Sequence, residues 1–220
     1  MKRKQYDRRT RILGTIFKTY VKILEATVNL NIKGIENIKE QQLLGYWHGD
    51  SLTMELVLGY ITKSIKEINV IVTADKRGDY IEQVINAYGA KALRLPDGLK
   101  MRPFFKELMQ FGVDTKGILA ASLDGPLGPL HEPKKLLFLL SQKSNKELVY
   151  MEFTYKRVLR LTRRWDNYVI LFPFSKVEAA VKNLGIITNE DLSNFNNLKQ
   201  VIINKPNPAL ENYLPCNKTT

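Results

Sequence analysis

Hydrophobic and polar positions along this chain switch repeatedly between a helical rhythm and a strand rhythm. From Asp7 to Val28, the residues Ile12, Leu13, Ile16, Phe17, Tyr20, Leu24 and Val28 recur at helical spacing and predict a helix with one apolar face. Leu30 to Ile35 alternates like a short strand and turns at Gly34. Leu43 to Trp47 is an apolar run of strand length that stops at His48-Gly49-Asp50, and Leu52 to Ile61 then has the length for a helix. Ile68 to Thr73 is β-branched and strand-like, and a polar turn from Ala74 to Asp79 follows it. Tyr80 to Tyr88 reads as a helix stopped by Gly89, and Lys91 to Leu95 as the next strand. Pro103 to Phe111 reads as a helix and Gly117 to Leu123 as a strand entering a Pro/Gly-rich loop. Lys134 to Ser141 is then helical, Leu148 to Tyr155 and Tyr168 to Phe172 are strands, and Glu190 to Ile203 is a last helix.

Strands alternating with helices predict an α/β fold: a single domain with a mostly parallel central sheet flanked by helices. No repeat or linker divides it. Residues 1–29 form a basic amphipathic N-terminal helix within the same domain, 30–205 the α/β body, and 206–220 a C-terminal tail read as loop.

Composition changes this picture in one respect. Lys and Arg number 34 against 22 Asp and Glu, a formal net charge of +12, which favours a polyanionic partner. Nucleic acid is disfavoured because no recognisable binding motif accompanies the charge. An anionic membrane surface fits better, with the N-terminal helix lying in the interface and Arg8, Arg9, Arg11, Lys18 and Lys22 around its apolar stripe. The alternative is that this stripe packs on the body of its own domain. No apolar stretch approaches the ~20 residues of a membrane span, and Lys18, Tyr20 and Lys22 interrupt any signal-peptide core. The expected location is the cytoplasm, peripheral on the inner face of the cell membrane. The one cysteine, Cys216, excludes an internal disulfide. One cysteine and two distant histidines also exclude a structural zinc site, so neither a metal nor a bound cofactor is expected. The glycine-rich phosphate loops and the Gly-x-Ser-x-Gly elbow are missing as well.

Candidate chemistry gathers where predicted strands end. His48 closes a strand, where an α/β sheet holds ligands, and imidazole is the side chain suited to moving a proton near neutral pH. The plainer reading is a strand-end histidine bonded to backbone. Ser122-Leu123-Asp124-Gly125-Pro126-Leu127-Gly128-Pro129 closes another strand with two Gly-Pro steps, a rigid loop that would set Asp124 at the same edge as His48.

Taken in order, Trp47-His48-Gly49, Asp75 to Tyr80, Gly89 to Arg94, Asp124-Gly125-Pro126-x-Gly128-Pro129, Trp165-Asp166 and Pro173-Phe174-Ser175 resemble the lysophospholipid acyltransferase-like family of bacterial proteins. That family is a subgroup of the glycerolipid acyltransferase superfamily, long catalogued as a domain of unknown function. Gly34-Ile35-Glu36-Asn37 resembles the superfamily's lead-in, and the resemblance spans roughly residues 8 to 205. It implies transfer of an acyl group from acyl-CoA or acyl-carrier protein to a lipid hydroxyl. His48 would be the base of a His-x4-Asp motif whose carboxylate position falls on Thr53. Asp124 is the expected substitute orienter, with Asp50 adjacent but facing away. Arg94 matches a superfamily arginine that could bind phosphate. Gly125, Pro126 and Gly128 would shape the substrate loop, Asp75 would line the cleft, and Lys134 would help with an anion. Leu127 stands where the subgroup usually carries arginine. Trp165 and Asp166 are expected to be structural, and His131 to be loop surface. The alternative function is a non-catalytic lipid-binding relative, favoured by Thr53 and Leu127.

Overall fold

A computed structural model describes residues 8–95 and 101–204 of the 220-residue chain. Seven strands form one sheet in the order β1-β7-β6-β2-β5-β3-β4, with β1 Asn29–Lys33, β2 Leu43–Tyr46, β3 Ile68–Thr73, β4 Lys91–Leu95, β5 Ile118–Ser122, β6 Leu148–Arg160 and β7 Val169–Asn183. Every pairing is parallel except the β6–β7 hairpin. The mostly parallel α/β domain expected from the alternating pattern is what forms.

Helices cover both faces of this sheet, which is why its central strands read as unbroken apolar runs. All four residues of β2 are buried, as are four of the five in β5. One core lies under α2 (Ser51–Ile61) and α3 (Lys76–Ala87), around Met54, Leu58, Val70 and Ile85. Another lies under α4 (Met101–Asp114), α5 (Lys135–Ser144) and the C-terminal helices, around Leu119, Phe138 and Tyr150. Tyr46 pairs with Ser122, so β2 and β5 end level and their following loops share one edge.

The helix α1 (Arg8–Thr27) uses only part of its apolar stripe for packing. Val21 and Leu24 are buried with Phe17 and Tyr20 against α2, α3 and β7, and the Tyr20 hydroxyl donates to the Leu171 carbonyl. Ile12, Leu13 and Ile16, one or two turns earlier, stay exposed.

Several boundaries differ from the pattern-based reading. Residues 76–79, read as turn, are the first turn of α3, because Asp75 caps that helix by accepting from the Gly78 amide at 2.9 Å. The strand read as ending at Phe172 continues to Asn183, with Pro173-Phe174-Ser175 forming an irregularity inside it. There Ser175 Oγ donates to the Arg157 carbonyl and accepts from the Phe172 amide, taking the place of a ladder bond. The last helix splits into α6 (Asn189–Ser193), held by a capping box between Thr188 and Asp191, and α7 (Phe195–Asn204). Asp7, the tail from 206 and Cys216 lie outside the described residues.

Leu24 tests whether α1 is integral to the domain. Leu24→Ala removes a fully buried side chain and is expected to cost about 2–5 kcal/mol in urea unfolding, in a single transition. A change under about 0.5 kcal/mol would mean that α1 contributes no core.

Candidate active site

Two loops from neighbouring strands and the tip of the hairpin meet at one edge of the sheet. The first loop is a tight 3-10 turn, His48–Asp50, that leads from β2 into α2. Asp124, fully buried in the loop after β5, accepts from the His48 backbone N–H through Oδ1 at 2.9 Å. Desolvation raises the Asp124 carboxyl above its ordinary range, opposed by the backbone amides that face it. It therefore fixes the backbone on which the histidine stands. The expected contact between Asp124 and the imidazole is replaced by this one.

The imidazole is oriented by Asp166. His48 Nδ1 lies 2.8 Å from Asp166 Oδ2, and Asp166 is 1% exposed. Arg164 grips the same carboxylate with two bonds, Nε to Oδ1 at 2.9 Å and Nη2 to Oδ2 at 2.7 Å. Burial by itself would raise the Asp166 carboxyl, but the hydrogen bonds from Arg164 and His48 outweigh it and hold the group below its usual range. An ionised Asp166 only accepts, so the neutral imidazole carries its proton on Nδ1 and leaves the lone pair of Nε2 free. The pair has the geometry of the base and orienter in a catalytic triad.

Glycines make the approach possible. A side chain at Gly49 would place Cβ 2.2 Å from the Asp166 carbonyl oxygen, and one at Gly128 would meet the Trp165 ring at 2.4 Å. Gly128 also has φ +69°, a conformation costly for other residues. The double Gly-Pro loop is thus a seat for the Trp165 ring, which in turn lies 5.2 Å from the His48 ring. Against the expectation that both are structural, Trp165 is 36% exposed beside His48 and Asp166 contacts the His48 ring. The Arg-x-Asp step that precedes the strand does not by itself reveal this role in the sequence.

Thr53 and Asp50 face another way. Both sit under the Tyr155 hydroxyl, at 3.1 Å from Thr53 Oγ1 and 2.7 Å from Asp50 Oδ1. With one proton to give, Tyr155 donates to the carboxylate and accepts from the threonine. Asp50 is 8% exposed, and its carboxyl is pushed up to about 6, first by burial, against the lowering bond from Tyr155.

The remaining candidates divide. Gly125 and Pro126 line a cavity beside His48. Arg94 binds Asp79 Oδ1 at 2.8 Å and the Asp75 carbonyl at 3.0 Å, with Glu82 at 3.5 Å, so it ties β4 to the first turn of α3. Asp75 is that helix's cap and also accepts from Thr73. Lys134 begins α5 and pairs loosely with Glu132 at 3.9 Å, outside the cavity lining. Leu127 is 88% exposed. His131 is exposed on its loop, with its ring against Trp47 at 4.8 Å. Among the described residues no cluster of His, Cys, Asp and Glu could hold a metal ion.

The cavity, about 90 Å³, opens at His48 and Ser51 and runs between α2, α3 and the sheet past Met54, Leu58, Val70, Ile81 and Ile85. An apolar void of roughly 150 Å³ takes a benzene ring, so this smaller one has room for a short stretch of a single narrow chain. No family model matches the sequence, and no curated protein is similar to it.

Asp50 supplies a pH test. Its folded-state value lies above the ordinary 3.8, so the carboxyl favours folding while protonated and that advantage is lost as pH rises through about 6. A shift of about two units corresponds to about 3 kcal/mol between pH 4 and 7. Asp50→Asn is expected to flatten this part of the stability profile in urea titrations. An unchanged slope would show that Asp50 titrates normally.

Proposed function

We propose that the protein is an acyltransferase of the glycerolipid type, moving an acyl chain from a thioester to a lipid hydroxyl with His48 as general base. The observation that carries this reading is the His48–Asp166 pair at 2.8 Å, set at the mouth of a narrow apolar cavity. His48 Nε2 takes the proton of the acceptor hydroxyl as its oxygen attacks the thioester carbonyl. The tetrahedral intermediate collapses, the thiolate leaves, and the imidazolium returns the proton to it. Asp166 holds the ring in the tautomer this needs and stabilises its positive form. Backbone N–H groups near Gly49 and Gly125 are candidates for the oxyanion. The donor is acyl-CoA or acyl-carrier protein, and the cavity takes the chain.

The work is proposed to take place on an anionic membrane surface. No helix among the described residues is long and apolar enough to cross a bilayer. The α1 helix presents Ile12 (51% exposed) and Ile16 (60%) to solvent, with exposed Arg8, Arg9 and Arg11 around them. Such a face suits the bilayer interface, and the cytoplasmic side carries the matching charge. A second reading, a lipid-binding relative without turnover, draws on Leu127 and on Arg94 being engaged elsewhere, which leave the loop without an arginine for an acceptor phosphate.

The deciding experiment measures transfer of labelled acyl groups from both donors to a panel of lysolipids and glycolipids. His48→Ala is expected to abolish transfer, and Asp166→Asn to lower kcat by about a thousandfold with folding intact. Wild-type protein that binds lipid yet transfers nothing to any acceptor would establish the second reading.

Surface docking has its own test. Ile12→Asp with Ile16→Asp is expected to weaken binding to phosphatidylglycerol vesicles by about tenfold or more, since each apolar side chain contributes roughly 1.5–3 kcal/mol on burial. Equal binding by the double variant would remove α1 from the interface.

A further inference from the structure

The chain cavity is mostly apolar, and its wall holds one buried acid that the acyl-transfer chemistry does not use. Glu55 lines it from α2, is 4% exposed, and has a carboxyl oxygen, Oε2, that is buried without a hydrogen-bond partner. Tyr46 and Ser51 also line the cavity but do not bond Oε2, and Met54, Leu58, Val70 and Ile85 can offer no bond. A lone carboxyl in such a wall is destabilising, and an apolar residue of similar size would fit the site better. Its neighbours on the same helix face are Ser51, one turn toward the mouth, and Leu58, one turn beyond. Burial raises the Glu55 carboxyl well above its usual range, which favours the neutral acid, a form with a proton to donate and oxygens that accept.

We infer that Glu55 reads the acyl chain: it bonds a hydroxyl or oxo group carried mid-chain, and it disfavours a plain hydrocarbon of the same length. The placement follows from helix geometry. Glu55 is four residues into α2 from Ser51 at the cavity mouth, which sets it about 6 Å deeper along the helix. A substituent next to the carbonyl stays near the mouth and cannot reach it. A plain chain lays methylene groups against the unpaired acid and leaves its bond unmade. A chain with a polar group at the right depth supplies the missing partner, and sites built to bond a substrate hydroxyl discriminate strongly against analogues that lack it.

The inference rests on the cavity being the chain site of the proposed transferase, so its test is a binding measurement independent of turnover. Myristoyl-CoA and its positional hydroxy isomers, with the hydroxyl at successive carbons from the third to the last, would compete with a fluorescent fatty acid for the full-length chain. One mid-chain isomer is expected to bind about tenfold more tightly than myristoyl-CoA. Glu55→Leu should bring that ratio to about one with folding retained, and the near-isosteric Glu55→Met serves the same comparison. Glu55→Gln, which keeps a donor and an acceptor, should retain part of the preference. Equal binding of all isomers by wild type, or a preference that survives in Glu55→Leu or Glu55→Met, overturns the inference. The two readings fail separately. A Glu55-dependent preference without transfer to any acceptor would remove the transferase and keep the chain reader. Transfer by a wild type that binds every isomer alike would do the reverse.

Discussion

The buried carboxylate of Asp166 is the constraint on which the rest of the site depends. A carboxylate that is 1% exposed would tend to take up a proton, and a neutral Asp166 could no longer dictate the tautomer of His48. Arg164 prevents this with two bonds from a fixed planar fork, which a lysine could not reproduce. The ion pair is therefore better understood as control of charge state and geometry than as a source of stability, since burying two charges costs about what their attraction returns.

That arrangement explains the unusual length of the hairpin. β6 pairs with β2 only over its first three residues, then continues with β7 alone to Arg160. Its far half folds over α2, where Val169, Leu171 and Val177 share a core with Leu52 and Leu56. Only this return brings the 161–168 loop back to the sheet edge, so that an antiparallel appendage completes a site begun by parallel strands. Gly49 lets the 161–168 loop approach at backbone distance, and Gly128 makes room for the Trp165 ring.

Much of the architecture could be read from the pattern because its determinants are local. The β2 and β5 runs, the Gly-Pro loop and the edge shared by His48 and Asp124 all follow from strand-end logic. What could not be read depends on contacts between distant residues. Asp166 lies 118 positions from His48, and nothing local distinguishes a turn-anchoring Asp from one that reaches a histidine. Arg94 looked like an anion ligand because the demand of Asp79 and Glu82 on it arises only once β4 lies beside α3. The α3 start was missed because Asp75 reads equally well as turn or cap. The extent of β7 was missed because Pro173 argues against a strand, and Ser175 compensates for it with its own hydroxyl.

Four acids lie close to this edge, and the fold gives each a different environment. Asp166 is held ionised by a cation, Asp124 accepts the His48 amide through Oδ1 and leaves Oδ2 without a partner, Asp50 shares a phenol with Thr53, and Glu55 leaves Oε2 without a partner in the cavity wall. Stability alone would favour replacing most of them, since three have carboxyls raised by burial. Two of the four have evident work in placing His48, one on its ring and one on its backbone. Asp50 is tied through Tyr155 to the β6–β7 hairpin, which helps to hold the lid of the site against α2. Glu55 neither places His48 nor ties the hairpin, and so the partner of Oε2 is to be sought in what the cavity receives.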